Sequence, residues 1–150
     1  MSSEQIYIDD VLIEWKKDAV IDESKISFEL IRLPMLHSKY LEYYIHFCHR
    51  LSKAEQYKNK MSWIKRKYFR GECEQKELEK YGWSQWQGLK PGTSELNQLL
   101  EFDSDISALN TNVTDLKTAV KGCEYIMGQL KGREYSLKAI IDYQKYLAGS

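Results

Sequence analysis

ISFELIRLPMLHSKYLEYYIHFCHRLSKAEQYKNKMSWIKRKYFRG, residues 26–71, decides the fold. Ile26, Leu30, Leu33, His37, Tyr40, Tyr44, Phe47, Leu51, Ala54, Lys58, Met61, Lys65 and Tyr68 follow one another at alternating intervals of four and three. Most are apolar, so the pattern is close to a heptad seam along one long helix. Pro34 lies inside it and is expected to kink the helix or split off a short first segment. Lys58 and Lys65 interrupt the seam at its far end, where it is expected to leave a dry core. Gly71 stands where a left-handed terminating glycine would end the helix.

Outward from this stretch the chain stays helical. Its 150 residues suit a single domain, 1–150, or one long-armed subunit. The basic helix occupies about 23–70 and a connector about 72–94. The connector holds Gly82, Gly88, Pro91 and Gly92 around Trp83 and Trp86. A short helical turn is expected at 74–81, then a loop. Thr93 or Ser94, followed by Glu95, can cap the next element, whose apolar face is Leu96, Leu99, Leu100 and Phe102. A last helix is expected from about 113 to 147. Leu116, Val120, Cys123, Met127, Leu130, Leu137 and Ile141 hold a heptad spacing there, widened by Ala119, Ile126 and Ile140. Gly128 and Gly132 form G-x-x-x-G, which permits close approach of a neighbouring helix. No stretch alternates as a strand would, so the fold class is all-α, with long antiparallel helices and a Gly/Trp-rich connector. A helix of some forty residues is about 60 Å long. One chain of this size cannot cover both sides of such a rod, and self-association is the natural remedy.

Lys plus Arg and Asp plus Glu both total 22. Global neutrality argues against coating nucleic acid by bulk charge, but the charge is segregated along the chain. Residues 1–29 are acidic, with Glu4, Asp9, Asp10, Glu14, Asp18, Asp22, Glu23 and Glu29. Residues 52–70 carry Lys53, Lys58, Lys60, Lys65, Arg66, Lys67 and Arg70 against Glu55. Cys48, Cys73 and Cys123 are scattered and contain no C-x-x-C pair, as expected of reduced cytoplasmic thiols. No run reaches the apolar length of a membrane span, and MSSEQIYIDD has no signal-peptide pattern. The chain is expected in the cytoplasm.

Catalytic signatures are missing. No phosphate-binding G-x-x-x-x-G-K-[ST] loop, nucleophile elbow or H-E-x-x-H helix occurs. His46 and His49 flank Cys48, but no second ligand pair stands at a recognisable spacing, so they read as packing or surface side chains. Asp103-Ser104-Asp105 lacks the pattern of a calcium loop. A non-enzyme without metal or cofactor is expected.

On a helical wheel, KNKMSWIKRKYFRG (58–71) separates into two faces. Tyr57, Met61, Ile64 and Tyr68 share one arc and are expected inside. Lys60, Trp63, Arg66, Lys67 and Arg70 gather opposite, while Lys58, Lys65 and Phe69 flank the inner stripe. Two readings stand. One is a solvated lysine-rich face whose Trp63 covers a neighbouring helix or subunit. The other is a surface for single-stranded nucleic acid, which needs rings for unpaired bases and cations for phosphates. Duplex DNA fits less well, because the helix lacks a base-reading pattern of Asn, Gln and Arg.

The segments EWKKDAVIDESKISFELIRLPMLHSKYLEYY, SELNQLLEFDSDI and GREYSLKAIIDYQKYLAGS resemble the UvsY family of phage recombination mediators. The likeness covers nearly the whole chain apart from residues 74–92. It implies a non-enzymatic accessory factor that binds single-stranded DNA and forms a ring-like homo-oligomer. It implies as partners a UvsX-type RecA-like recombinase and the phage single-strand-binding protein, in the cytoplasm of an infected bacterium. A helical scaffold that binds only proteins is the alternative. The family's DNA-binding pattern L-K-A-R-L-x-Y-Y-x-G falls on residues 62–71, which end in WIKRKYFRG. Lys65 stands at the family arginine, Tyr68 and Phe69 at the aromatic pair, Gly71 at the glycine, and Trp63 where the family has lysine. With Lys58, Lys60, Arg66, Lys67 and Arg70, these side chains are the expected DNA contacts. By the same resemblance the C-terminal helix drives self-association, through Leu116, Val120, Cys123, Met127, Leu130, Leu137 and Ile141.

Overall fold

The computed structural model describes residues 5–149; Glu4 of the acidic stretch and Ser150 lie outside them. The all-α expectation holds: among the described residues the regular structure is entirely helical. The α-helices are α1 (Ile8–Asp18), α2 (Ile26–Ile31), α3 (Leu33–Phe69), α4 (Gln75–Tyr81), α5 (Thr93–Phe102) and α6 (Ser104–Gly149), with a 3-10 turn at Glu23–Lys25.

The sequence explains most of the boundaries. Pro34 sits in the first turn of α3, where a missing N–H leaves no helical bond unmade. The helix therefore restarts there, and α2 is the short first segment. At the far end Gly71 has φ 71°, with its N–H on the Tyr68 carbonyl and the Glu72 N–H on the Lys67 carbonyl, both at 3.0 Å. A side chain at φ near +70° is disfavoured, which is why glycine ends this helix. Gly82 (φ 68°) closes α4 in the same way. Two expectations need correction. Gly92, not Thr93 or Ser94, is the N-cap of α5, and no side chain caps that helix. The last helix begins at Ser104, well before residue 113, because the Asp103 carboxylate accepts the Ile106 N–H at 3.0 Å and starts it early.

The chain forms two compact units. One comprises residues up to His49 together with those from Lys117; the other is Arg50–Leu116. In the first, Leu33, Leu36, Tyr40 and Phe47 of α3 and Ala119, Cys123, Ile126, Leu130 and Leu137 of α6 are buried. Leu30, Leu33, Pro34 and His37 line a cavity of about 610 Å³ with Leu130, Lys131, Glu134 and Lys138. Further along α3, Cys48 lies close enough to Cys123 to influence it; burial first, then Cys48, push the Cys123 thiol up to about 11. Ascending positions of α3 thus meet descending positions of α6, and the pair is antiparallel in this unit.

The end of α1 is fastened by charge. Arg133 donates to the carbonyls of Asp18 (3.3 Å) and Ala19 (2.8 Å), and Arg32 to those of Asp18 (3.2 Å) and Val20 (3.1 Å). Cations at carbonyls left open by a helix end are favourable. The Asp18 carboxylate accepts from Lys39 at 2.8 Å and from the Tyr40 hydroxyl at 2.7 Å. Tyr43 donates to Glu14 at 2.6 Å. Part of the acidic N-terminal stretch therefore answers cations and hydroxyls of the same chain.

The apolar stripe of α6 is largely covered within the chain. Leu116, Cys123, Leu130 and Leu137 are buried, and Val120, Met127 and Ile141 half-buried, all within a single chain. The four buried residues belong to the core of the chain. No helix among the described residues uses the close approach that Gly128 and Gly132 permit: a Cβ at either would meet nothing within 4 Å.

Candidate nucleic-acid interface

The basic stretch lies in the second unit, on the C-terminal part of α3. Seam positions face the core as the period requires: Met61 and Ile64 are buried with Ile106, and Tyr81, Trp83 and Leu109 pack against them. Phe69 is buried with Leu96 and Leu100, flanked by Tyr68, Trp86 and Leu99. Tyr57 is the exception to the expected inner arc; it is 50% exposed. It lies within the arc, between Ile64 and Tyr68, yet its ring reaches water. Phe102, expected on the inner face of α5, also points outward, two positions beyond the last buried leucine.

Lys65 also belongs inside. It is only 6% exposed. Its ammonium lies 3.1 Å from Asp103 and 3.0 Å from Asp105, and 4.4 Å over the ring of Trp83. Burial opposes the charge, but the hydrogen bonds to Asp105 and Asp103 outweigh it and hold the pKa above the ordinary lysine value. The seam does not leave the core at Lys65. The DSD run supplies the counter-charge, so the expected DNA contact is an internal bridge in this arrangement. Tyr68, the second residue carried over from the family pattern, is half-buried and donates its hydroxyl to the Ser84 carbonyl at 2.8 Å. Phe69, the third, is edge-on to Trp86 at 5.0 Å. The geometry thus removes Lys65, Tyr68 and Phe69 from the outer surface.

What stays outside is a row. Lys53, Gln56, Lys60, Trp63, Lys67 and Arg70 succeed one another at intervals of three or four, so they share one face of α3. Lys53 to Arg70 spans about 25 Å at 1.5 Å per residue. Lys53, Lys60 and Arg70 are exposed and make no ion pair among the described residues. Trp63 is 62% exposed. Lys67 is half-buried; its ammonium lies 5.1 Å over the Trp63 ring and 2.8 Å from Glu77 of α4. The bond to Glu77 raises its pKa. Arg66 reaches Asn97 at 3.5 Å beside the row, and Lys58, half-buried, lies on the far face of the helix from it. Lys53 and Gln56 extend the face beyond the stretch singled out from sequence, and continuing the same three–four spacing toward the N-terminus finds them. Glu77 as the anchor of Lys67 had no such signal, since it lies on another helix.

The behaviour open to such a row is electrostatic: free cations along a ridge with one accessible ring. Among the described residues no helix is long and apolar enough to cross a membrane, and no cluster of His, Cys, Asp and Glu is suited to a metal ion.

Comparison with known proteins bears on this surface. Residues 14–150 match the family model described as "Recombination, repair and ssDNA binding protein UvsY". The recombination protein uvsY of Enterobacteria phage T4 is 26% identical over 151 residues, covering 95% of this chain and 98% of the relative. A crystal structure of the bacteriophage T4 recombination mediator protein UvsY superimposes with a TM-score of 0.81 at 23% identity, over 96% of this chain and 99% of that one. A second crystal structure of the same protein gives 0.77 at 20% identity, over 94% and 98%. At those identities the structural likeness is one of fold. The family match spans nearly the whole chain, including both long helices and the basic row, and the chain belongs to the UvsY family of recombination, repair and single-stranded-DNA-binding proteins.

Proposed function

We propose that this chain holds single-stranded DNA on the outer row of α3 and, as a ring-like homo-oligomer, helps a RecA-like recombinase replace the resident single-strand-binding protein. The observation that carries the DNA contact is the row itself: Lys60 and Arg70 exposed and without acidic partners among the described residues, on either side of an exposed Trp63. Lys58, Arg66 and Lys67 are auxiliary cations. Each ridge is weak alone; repeated around an oligomer, the ridges act at high effective concentration. A strand led from ridge to ridge is bent, and bending loosens a protein that holds it extended. The cytoplasm of the infected host is where these partners meet.

Self-association is supported by the far end of α6. No residue between Lys138 and Gly149 is buried, and Tyr135, Ile140, Tyr143 and Tyr146 are exposed. A large apolar area left open on a helix favours a second copy. Leu116, Cys123, Leu130 and Leu137 then serve association indirectly, by keeping the helix in place.

Native mass measurement with and without oligo-dT at low salt tests the proposal. An oligomer that takes up DNA is expected. An oligomer that never does so is the behaviour of a protein-only scaffold and contradicts it.

A further inference from the structure

Resting on the reading of the α3 row as a DNA ridge, we propose that Trp63 is a stacking site for one unpaired nucleobase, with Lys67 fixed as its back wall. Trp63 differs from the other tryptophans of the chain. Trp15 packs edge-on to Tyr40 at 5.6 Å, Trp83 against Tyr81 at 4.7 Å, and Trp86 against Phe69 at 5.0 Å. Trp63 faces water, with the ammonium of Lys67 over its ring. That ammonium is held by Glu77 at 2.8 Å, and Glu77 in turn accepts the Glu74 N–H at 3.3 Å. The cation is therefore tied over the ring and occupies one face of the indole.

Helical side chains lean toward the N-terminal turn, so Trp63 lies over the turn that carries Asn59 and Lys60, both exposed. A base that stacks on the open face has Lys60 and Arg70 within one or two turns for its flanking phosphates. The ligand is an unpaired base of any sequence, since every base presents a π-face. A duplex keeps its bases stacked on one another and cannot offer one without unpairing. The site thus adds a preference for single strands that the lysines alone do not give.

The experiment compares binding of oligo-dT and an abasic strand of equal length, by anisotropy at one salt concentration. The proteins are wild type, Trp63→Ala, Trp63→Phe and Lys60→Ala/Arg70→Ala. Trp63 is exposed, so its removal leaves the fold intact. Trp63→Ala is expected to weaken oligo-dT binding by about five- to 150-fold, the worth of one stacked base. It should leave the abasic strand unaffected, and Trp63→Phe should recover most of the loss. Equal losses on both strands make Trp63 a mere support for the cations and overturn the stacking site. No loss on either strand, while Lys60→Ala/Arg70→Ala weakens both, overturns stacking and leaves the ridge standing. If no variant changes binding to either strand, the ridge reading fails and the stacking site with it.

Discussion

The ammonium of Lys65 lies 3.1 Å from the carboxylate of Asp103, at a seam position of α3 where an aliphatic side chain is the rule. Asp103 at the same time starts α6 by accepting the Ile106 N–H. One carboxylate therefore ties the end of α3 to the beginning of α6 within the second unit.

Lys65→Met leaves the side chain of Asp103, itself only 10% exposed, without its cation. Breaking a buried pair on one side costs about 3 kcal/mol or more. Urea unfolding at fixed protomer concentration should show a loss of that order, and a loss below about 1 kcal/mol would contradict the bridge. The pH dependence follows in sign. The folded pKa of Lys65 is raised, so its contribution is full below the unfolded value of about 10.4 and disappears as pH rises through the folded value. The wild type should therefore lose stability at alkaline pH more steeply than Lys65→Met.

Asp18 governs the acid side of the first unit. Burial raises its pKa, but the bonds from Lys39 and Tyr40 outweigh that and hold it below the ordinary 3.8. Its contribution is present above the unfolded value and is lost as pH falls through the folded one. Lys39, Arg32 and Tyr40 face the carboxylate, with Glu14 and Tyr43 beside them; Tyr43 is pushed up to about 12, first by its bond to Glu14. Asp18→Asn should lower stability at neutral pH and flatten the acid limb of the melting curve. A limb of unchanged steepness assigns acid sensitivity elsewhere.

Gly88 fits closely over Trp86. A Cβ at residue 88 would come within 2.4 Å of the indole carbon Cζ2. Gly88→Ala must displace the ring or the connector, at about 1–3 kcal/mol for overpacking. Gly92→Ala, where a Cβ meets nothing within 4 Å, is the control and should be nearly silent. Equal effects from the two substitutions would refute the close fit.

Two classes of α6 substitution should separate core from association. Leu130 is 2% exposed, so Leu130→Asp buries an unpaired charge and should unfold the protomer, lowering helicity by circular dichroism. Tyr143 is 62% exposed, so Tyr143→Asp should keep helicity and yield smaller species with weaker DNA binding. If Leu130→Asp stays helical and merely dissociates, the stripe is an interface after all.

The long helices were legible because a seam of period near 3.5 leaves a signal at every turn; of its positions in α3, only His37 is exposed. The burial of Lys65 is not legible in the sequence, because its partner lies 38 residues away and periodicity carries no record of distant charge. Lysine at a seam position looked like the seam ending, whereas it marked a counter-charge to be found elsewhere. The α6 stripe was legible as apolar, but a heptad pattern is the same whether its cover comes from the same chain or another. Tyr57 is exposed although it falls within the arc, because the wheel places a side chain on a face without showing what covers it. Of the expected outer face Lys60, Trp63 and Arg70 are exposed, whereas Arg66 and Lys67 are half-buried against partners that periodicity does not record.

Salt dependence of oligo-dT binding tests the central claim most directly. Each phosphate contact adds about 0.7 to the slope of log affinity against log salt for single strands. Lys60→Ala/Arg70→Ala should therefore lower the slope by about 1.4 and weaken binding at low salt, with the fold unchanged because both residues are exposed. A slope and affinity equal to wild type would place the DNA on another surface.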